Sequence, residues 1–356
     1  MTRLTTDLED KTLAVNKILD EYFSHQIDEA ASISDSYRKL WIALHTLIQA
    51  GGKRVRPQLT LLAYEAFGGL NSEKIIPIAA AQELLHFSLL IHDDIIDRDY
   101  IRYGVPNVSG QYQDYYQSFV KNKTELTHYA NSAALLGGDL MLSSAYKLIT
   151  SSSVSDKDKI TAQSLLNQSI FEVAAGELLD TEAVFMPLRS GDTIKIARYK
   201  TASYSFIVPL LTGAHLGDAS EKQLHLLQSF ASSLGIAYQL VDDLLGVFGD
   251  EKITGKSTSS DLTEGKHTYM IEFCLENLTP SKRKVFDAAF GKPDASPVMI
   301  MQLKDIIASS GARDHTEKAI LEYAHTARTA LQSLNLTPTD TSSFEQFIIK
   351  VTDRSY

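Results

Sequence analysis

Apolar residues recur at three- and four-residue intervals along almost the whole chain. Leu13, Ile18, Leu19, Tyr22 and Phe23 form one such stripe; Leu227, Phe230, Leu234, Ala237, Leu240, Val241 and Leu244 form another. That period belongs to the buried face of a helix, and no segment has the two-residue alternation of a half-buried strand. The pattern predicts about a dozen helices of roughly 10 to 25 residues, separated by glycine- and serine-rich turns. Examples are Ala50-Gly51-Gly52, Phe67-Gly68-Gly69, Ser151-Ser152-Ser153 and Phe248-Gly249-Asp250. The most polar stretch, Gly249 to Lys266, reads as a loop of about eighteen residues, a length that in a helical protein points to function or disorder. Nothing repeats at a fixed period and nothing marks a boundary, so residues 1–356 are expected to form one all-α domain.

Composition supports this picture. Nine prolines in 356 residues suit long uninterrupted helices. A single cysteine, Cys274, excludes an intramolecular disulfide framework and a cysteine-based zinc site, and makes a reducing cytoplasm the expected compartment. The opening MTRLTTDLEDKTL has no apolar signal core, and the longest apolar run, Leu84 to Ile91, is too short to span a bilayer; the expectation is a soluble protein with no transmembrane segment. The net charge of −10 repels polyanions, so no nucleic-acid partner is expected. An anionic small molecule would need local cations or bound metal.

Two acidic pairs give that need a location. In His92-Asp93-Asp94-Ile95-Ile96-Asp97, at the end of an apolar helix that begins near Pro77, Asp93 and Asp97 are one helical turn apart, with Asp94 about 100° around. Like charges at that spacing destabilise a helix unless a cation binds them, whereas Mg²⁺ turns the repulsion into ligation. A solvated acidic helix end is the alternative. The second pair, Asp242-Asp243, is expected to close another apolar helix, with Gln239 one turn earlier. Two helices so marked can hold metal between them in a bundle, and Mg²⁺ shared between carboxylates and substrate phosphates implies a phosphorylated or diphosphorylated ligand. Basic residues complement them. Gly51-Gly52-Lys53-Arg54-Val55-Arg56-Pro57 sets three cations at a helix start, where backbone N–H groups already favour anions. Arg102, Lys200, Lys256 and Lys266 are further candidates, with ordinary surface positions as their alternative.

The ordered set GGKRVRP, DDIID followed by Arg-Xaa-Gly-Xaa-Pro, Lys200-Thr201-Ala202, and QLVDD followed by GK and EGK resembles the trans-prenyltransferases, or polyprenyl diphosphate synthases, over about residues 45 to 270. Tyr323 to Leu331 is similar to the family's terminal helix and Arg354 to its basic end. The resemblance implies an isoprenoid synthase-type helical bundle with a central active-site cavity, assembled as a homodimer. It implies a head-to-tail condensation of isopentenyl diphosphate with an allylic diphosphate, using about three Mg²⁺ ions. Asp93, Asp94 and Asp97 would surround metal on the allylic diphosphate, and Asp242 and Asp243 would bind metal from the opposite wall. Lys53, Arg56 and His86 match the isopentenyl diphosphate positions. Arg102, Lys200, Lys266 and the loop residue Lys256 match diphosphate ligands, and Thr201 and Gln239 line the reaction centre.

Departures from the family pattern are informative. Arg102-Tyr103-Gly104 stands where Arg-Arg-Gly is usual, so weaker isopentenyl diphosphate binding or an altered partner substrate is expected. The second acidic motif lacks a third Asp at the usual place, although Asp250 lies a turn further on. Ser109 replaces a common His and Glu177 a frequent Gln, with no consequence evident from sequence. Ser88 and Leu89, five and four residues before Asp93, occupy the level at which a large aromatic limits product length; the small Ser88 points to C20 or longer, and Phe87 reads as core. Two other readings stay open: a weakly active or regulatory subunit of a heteromeric synthase, suggested by Tyr103, and a helical metal phosphohydrolase, suggested by His92-Asp93. The latter leaves GGKRVRP and the second Asp pair without a purpose.

Overall fold

The computed structural model of the protein describes residues 3–186, 189–250 and 258–353, and its regular structure is all-α apart from one short hairpin. The chain gathers into two compact units, Met1–Ser164 with His215–Gly217, and Leu165–Ala214 with Asp218–Tyr356.

Unit 1 contains α1 (Arg3–Ile33), α2 (Asp35–Ala50), α3 (Val55–Ala66), α4 (Ile76–Ile96), α5 (Val108–Tyr116) and α6 (Lys123–Ser151). Its centre is α4, where Ile78, Leu84, Leu85, Phe87 and Ile91 are all buried and α6, α3 and α1 pack around them. A helix that is apolar on every side belongs in a core. Ser72–Ile96 is long and apolar enough to cross a membrane by length and composition, and 72 % of its most apolar window is buried inside the protein. The C-terminus of α4 closes as a Schellman motif: Asp99 N–H donates to Asp94 O at 2.8 Å and Arg98 N–H to Ile95 O at 3.4 Å. Arg98 takes the left-handed conformation (φ 59°) that this motif usually gives to glycine. The chain then doubles back as a two-stranded hairpin, Ile101–Arg102 against Val105–Pro106, turning on Tyr103 (φ 55°) and Gly104 (φ 76°). The apolar period gave no sign of this hairpin, since two residues per strand are too few to alternate.

Unit 2 contains most of α7 (Asp156–Glu182), then α8 (Asp192–Ile196), a π-helical stretch over Ala197–Ile207, and α9 (Val208–Leu216). The long helix α10 (Glu221–Phe248) follows, with α11 (Ser260–Glu264), α12 (Tyr269–Glu276), α13 (Pro280–Ala289), α14 (Pro297–Ser309), α15 (Ala312–Ser333) and α16 (Pro338–Thr352). The predicted stripe Leu227, Phe230, Leu234, Ala237, Leu240, Val241 and Leu244 on α10 is fully buried, against α15 and the π-helical stretch among others. Ser220 and Gln223 form a reciprocal capping box at its start. Three of the nine prolines sit at helix starts behind capping hydroxyls, in Thr279-Pro280, Ser296-Pro297 and Thr337-Pro338.

Two expectations change. Several helices exceed the predicted length, with 31 residues in α1, 29 in α6 and 28 in α10. Their internal glycines are sites of close approach rather than breaks; a Cβ on Gly235 would lie 2.4 Å from that of Ala202. The polar stretch Gly249 to Lys266 is also not one long loop, because Ser260–Glu264 is helical and closes on Gly265 in the left-handed conformation. Lys256 and Arg354 lie outside the described residues.

Candidate active site

In unit 1 the end of α4 and the hairpin behind it bring acid and base together. Asp94 is 2 % exposed, and its Oδ1 accepts from Arg102 Nε at 2.7 Å. Asp93 Oδ2 lies 3.5 Å from Arg102 Nη2. Burial pushes the Asp94 carboxyl up to about 6, against the opposing pull of Arg102, and Asp93 pushes the same way as burial. Its second oxygen, Oδ2, is buried with no hydrogen-bond partner among the described residues. A buried carboxylate oxygen left over after its arginine is counted is the donor that a hard cation such as Mg²⁺ takes. Asp97 is the C-cap of α4 and half-buried. Among the described residues no three His, Cys, Asp or Glu side chains are drawn as closely as around an ion.

The basic residues of GGKRVRP separate in role. Arg54 is 7 % exposed and turned inward, donating to Asn16 Oδ1, Gly51 O, Ile48 O and Glu83 Oε1. It therefore fixes the Gly51–Lys53 turn, while Lys53 is exposed and Arg56 half-buried. Burial, then Arg56, Arg102 and Arg54, hold the His86 imidazole well below its usual range, which keeps it neutral. The Tyr103 ring lies on Gly51, where a Cβ would meet it at 2.7 Å. Its phenol is raised by burial and has Arg102, Glu83, Arg56 and Arg54 as charged neighbours. Arg54, Arg56 and Arg102 thus surround a neutral imidazole, that of His86, and a neutral phenol, that of Tyr103. Ser88 is fully buried and Leu89 half-buried. His92 faces Asp139 at 3.6 Å and Leu135 O at 3.4 Å.

Unit 2 holds the second acidic pair. Asp242 and Asp243 do not close their helix as expected, since α10 continues to Phe248. Asp243 is 8 % exposed, and its Oδ1 accepts from Gln239 Nε2 at 2.7 Å. A carboxylate can only accept, so the Gln239 amide nitrogen must face it and the amide oxygen must face away, where it accepts from Thr201 Oγ1 at 2.5 Å. Burial pushes the Asp243 carboxyl well up, the Gln239 bond opposes it, and Asp261, Asp242 and Asp180 push it further. Lys200 is tied to Asp180 at 2.6 Å and Glu177 at 2.9 Å, and Lys266 to Glu264 at 3.0 Å.

Asp261 was not singled out from sequence. A Cβ on Gly246, four residues after Asp242, would lie 2.3 Å from Asp261 Oδ2. A further carboxylate, from α11, thus lies beside the second motif in the space that Gly246 leaves. Asp180 and Glu83 were also missed, and Arg54, one of the three cations expected to favour an anion at the helix start, is turned inward instead. Only Glu177-Leu-Leu-Asp180, two acids three apart on an apolar helix, offered a local signal.

The family model described as polyprenyl synthetase matches residues 38–307. The chain is 31 % identical to a geranylgeranyl diphosphate synthase of Sulfolobus acidocaldarius, covering 89 % of this chain and 91 % of the relative. It is 32 % identical to a geranylfarnesyl diphosphate synthase of Aeropyrum pernix, covering 86 % and 91 %. A crystal structure of geranylgeranyl pyrophosphate synthase from Corynebacterium glutamicum, complexed with isoprenyl diphosphate and magnesium, is similar with a TM-score of 0.91 at 27 % identity, over 97 % of this chain and 98 % of that one.

Proposed function

We propose, from the premise that the chain belongs to the polyprenyl synthetase family and is a prenyltransferase, that it joins isopentenyl diphosphate head to tail to an allylic diphosphate and releases an all-trans product of C20 or longer. The observation that carries this reading is the α4 end, where buried carboxylates suited to a cation adjoin a basic group suited to a diphosphate. Breaking the allylic C–O bond leaves a carbocation and a diphosphate, so the reaction needs charge stabilisation of the leaving group. Bound Mg²⁺, held by Asp93, Asp94 and Asp97 and by Asp242 and Asp243, would supply that neutralisation. Arg102, Lys200 and Lys266 are assigned to the allylic diphosphate. Lys53, Arg56 and the neutral His86 would bind isopentenyl diphosphate, His86 as a hydrogen-bond donor without charge. The Thr201 hydroxyl is committed to Gln239, so their joint dipole, oriented by Asp243, is what faces developing positive charge. The isopentenyl double bond attacks the allylic carbon, and the proton then lost goes to the departing diphosphate.

Product length is assigned to Ser88, whose small side chain leaves room at the level before Asp93. Exposed Leu135, Leu136, Phe171 and Leu178 support a homodimer, since large apolar side chains in water favour a partner surface. Purified protein incubated with Mg²⁺, labelled isopentenyl diphosphate and C5, C10 or C15 primers, followed by product sizing, tests the reading. Extension to C20 or beyond is expected; no extension of any primer would favour the regulatory-subunit reading instead.

A further inference from the structure

We infer that Asn16 and Glu83 are positioning residues of the isopentenyl diphosphate site, acting through Arg54 on the turn that presents Lys53; the identity of the ligand rests on the prenyl-transfer reading. Arg54 belongs to the basic motif, yet its guanidinium is held in a clamp drawn from three helices. Nε donates to Asn16 Oδ1 on α1 at 2.8 Å, and Nη2 to Ile48 O in the last turn of α2 at 2.8 Å. Nη1 donates to Gly51 O at 2.9 Å and to Glu83 Oε1 on α4 at 3.2 Å. The Ile48 and Gly51 carbonyls belong to the end of α2, where no further turn of helix is present to bond them.

The turn needs such a clamp. Gly52 (φ 110°) and Arg54 (φ 50°) are both left-handed, a conformation that a non-glycine residue keeps only where its surroundings hold it. A Cβ on Gly52 would meet Arg54 Nη1 at 2.3 Å and Glu83 Oε1 at 3.3 Å, so the backbone of the turn rests directly on this ion pair. Lys53 stands between the two left-handed residues, and α3, with Arg56 in its first turn, begins just after them. Glu83 lies three residues before His86 on α4, which ties the turn to the helix that bears the imidazole. It is 1 % exposed, and its Oε2 is buried with no hydrogen-bond partner among the described residues. Glutamine at position 83 can therefore keep the oxygen that accepts from Arg54 and lose only the charge. Charge and bond act oppositely on a diphosphate: the charge repels it, while the bond holds the cations that receive it.

Steady-state kinetics of the full chain, with each substrate varied in turn, tests this beside calorimetric titration with inorganic pyrophosphate in the absence of Mg²⁺. Asn16→Ala, which removes the α1 bond to Arg54, is expected to raise the KM for isopentenyl diphosphate about three- to tenfold, the worth of one hydrogen bond. Pyrophosphate binding should weaken in parallel, and the KM for the allylic diphosphate should not move. Glu83→Ala should do the same, whereas Glu83→Gln should bind isopentenyl diphosphate at least as tightly as the wild type. A merely structural role would lower Tm without separating the two KM values, and a purely electrostatic one would make E83A bind more tightly. Either result overturns the inference, as does an unchanged isopentenyl KM in N16A or an E83Q as weak as E83A. If E83A fails to unfold cooperatively on heating, N16A, on the half-buried face of α1, decides alone. Should the wild type extend no allylic diphosphate, the prenyl-transfer reading falls, while pyrophosphate binding by N16A and E83A still decides whether the clamp shapes the anion site.

Discussion

The two acidic motifs begin alike, with an Asp pair behind an apolar helical stretch, and end with different close partners. Helix α4 stops at Ile96, and the Schellman turn and hairpin behind it return Arg102 to Asp93 and Asp94. Helix α10 runs five residues past Asp243, and α11 brings Asp261, another acid, back beside Gly246. Asp243 has an amide for its close partner and Asp261 for a neighbour, while Lys200 is committed to Glu177 and Asp180. In unit 1 Arg102 pairs with both acids of the motif, whereas in unit 2 the close partner of Asp243 among the described residues is an amide. Where a helix ends decides which charge its last carboxylates meet.

Asp94→Asn and Asp243→Asn would break this comparison most severely. Both should lower kcat/KM by about 10²- to 10³-fold, the scale of losing one electrostatic contact to a developing anion. Their effects on stability should differ in size. Asp243→Asn removes a carboxylate that burial disfavours and should raise Tm. Asp94→Asn also removes a carboxylate that burial disfavours, but it weakens the tie to Arg102, which keeps Asp93 at 3.5 Å, so it should raise Tm less. Equal shifts of the same sign would show that the two carboxylates are not compensated differently.

Stability against pH sharpens the same contrast. The Asp94 carboxyl titrates at about 6 in the fold, up from 3.8. Between those values the unfolded chain gives up a proton that the folded chain keeps. The contribution of Asp94 is therefore complete below pH 3.8 and is lost as pH rises through 6. Urea midpoints of metal-free protein should show this loss, and Asp94→Asn should flatten it. Mg²⁺ with pyrophosphate should raise Tm more at pH 7.5 than at pH 5.5, because the ionised carboxylate is the ligand. An equal rise at both would remove Asp94 from the metal set.

The helical class and the core of α10 were legible because helix burial repeats locally every three to four residues. Cation sites were legible as residue types but not as states. Nothing near Lys200 in sequence announces that side chains 20 and 23 residues earlier neutralise it, and nothing at Gly246 announces Asp261. Arg54 is the sharpest case. It stands between two candidate ligands in one motif, and its left-handed backbone, the carbonyls of Ile48 and Gly51, and the side chains of Asn16 and Glu83 turn it inward. Periodicity reports which face is buried; which charge meets which is decided by turns and by glycines that let distant backbones touch.

Tyr103 is expected to give a smaller, selective effect. Its ring rests on Gly51 and its phenol lies among Arg54, Arg56 and Glu83, so it adds a donor but no charge to the basic group. Tyr103→Arg should lower the KM for isopentenyl diphosphate about tenfold, as one charge-assisted hydrogen bond does, and leave the KM for the allylic substrate alone. An unchanged isopentenyl KM would mean that the pocket does not reach the hairpin.

The smallest effect is expected at the turn that makes unit 1 differ from unit 2. Arg98 holds φ 59° at the position after the C-cap of α4, whereas Gly249 at the end of α10 is extended, with φ −68° and ψ 160°. A non-glycine residue in the left-handed region costs about 1–2 kcal/mol, and glycine gives back part of that through the greater freedom of the unfolded chain. Arg98→Gly should therefore stabilise the protein by about 0.5 kcal/mol, seen as a higher urea midpoint at constant m-value. A lower midpoint would mean that the Arg98 side chain, and not the Schellman hydrogen bonds, holds the turn that returns Arg102 to Asp94.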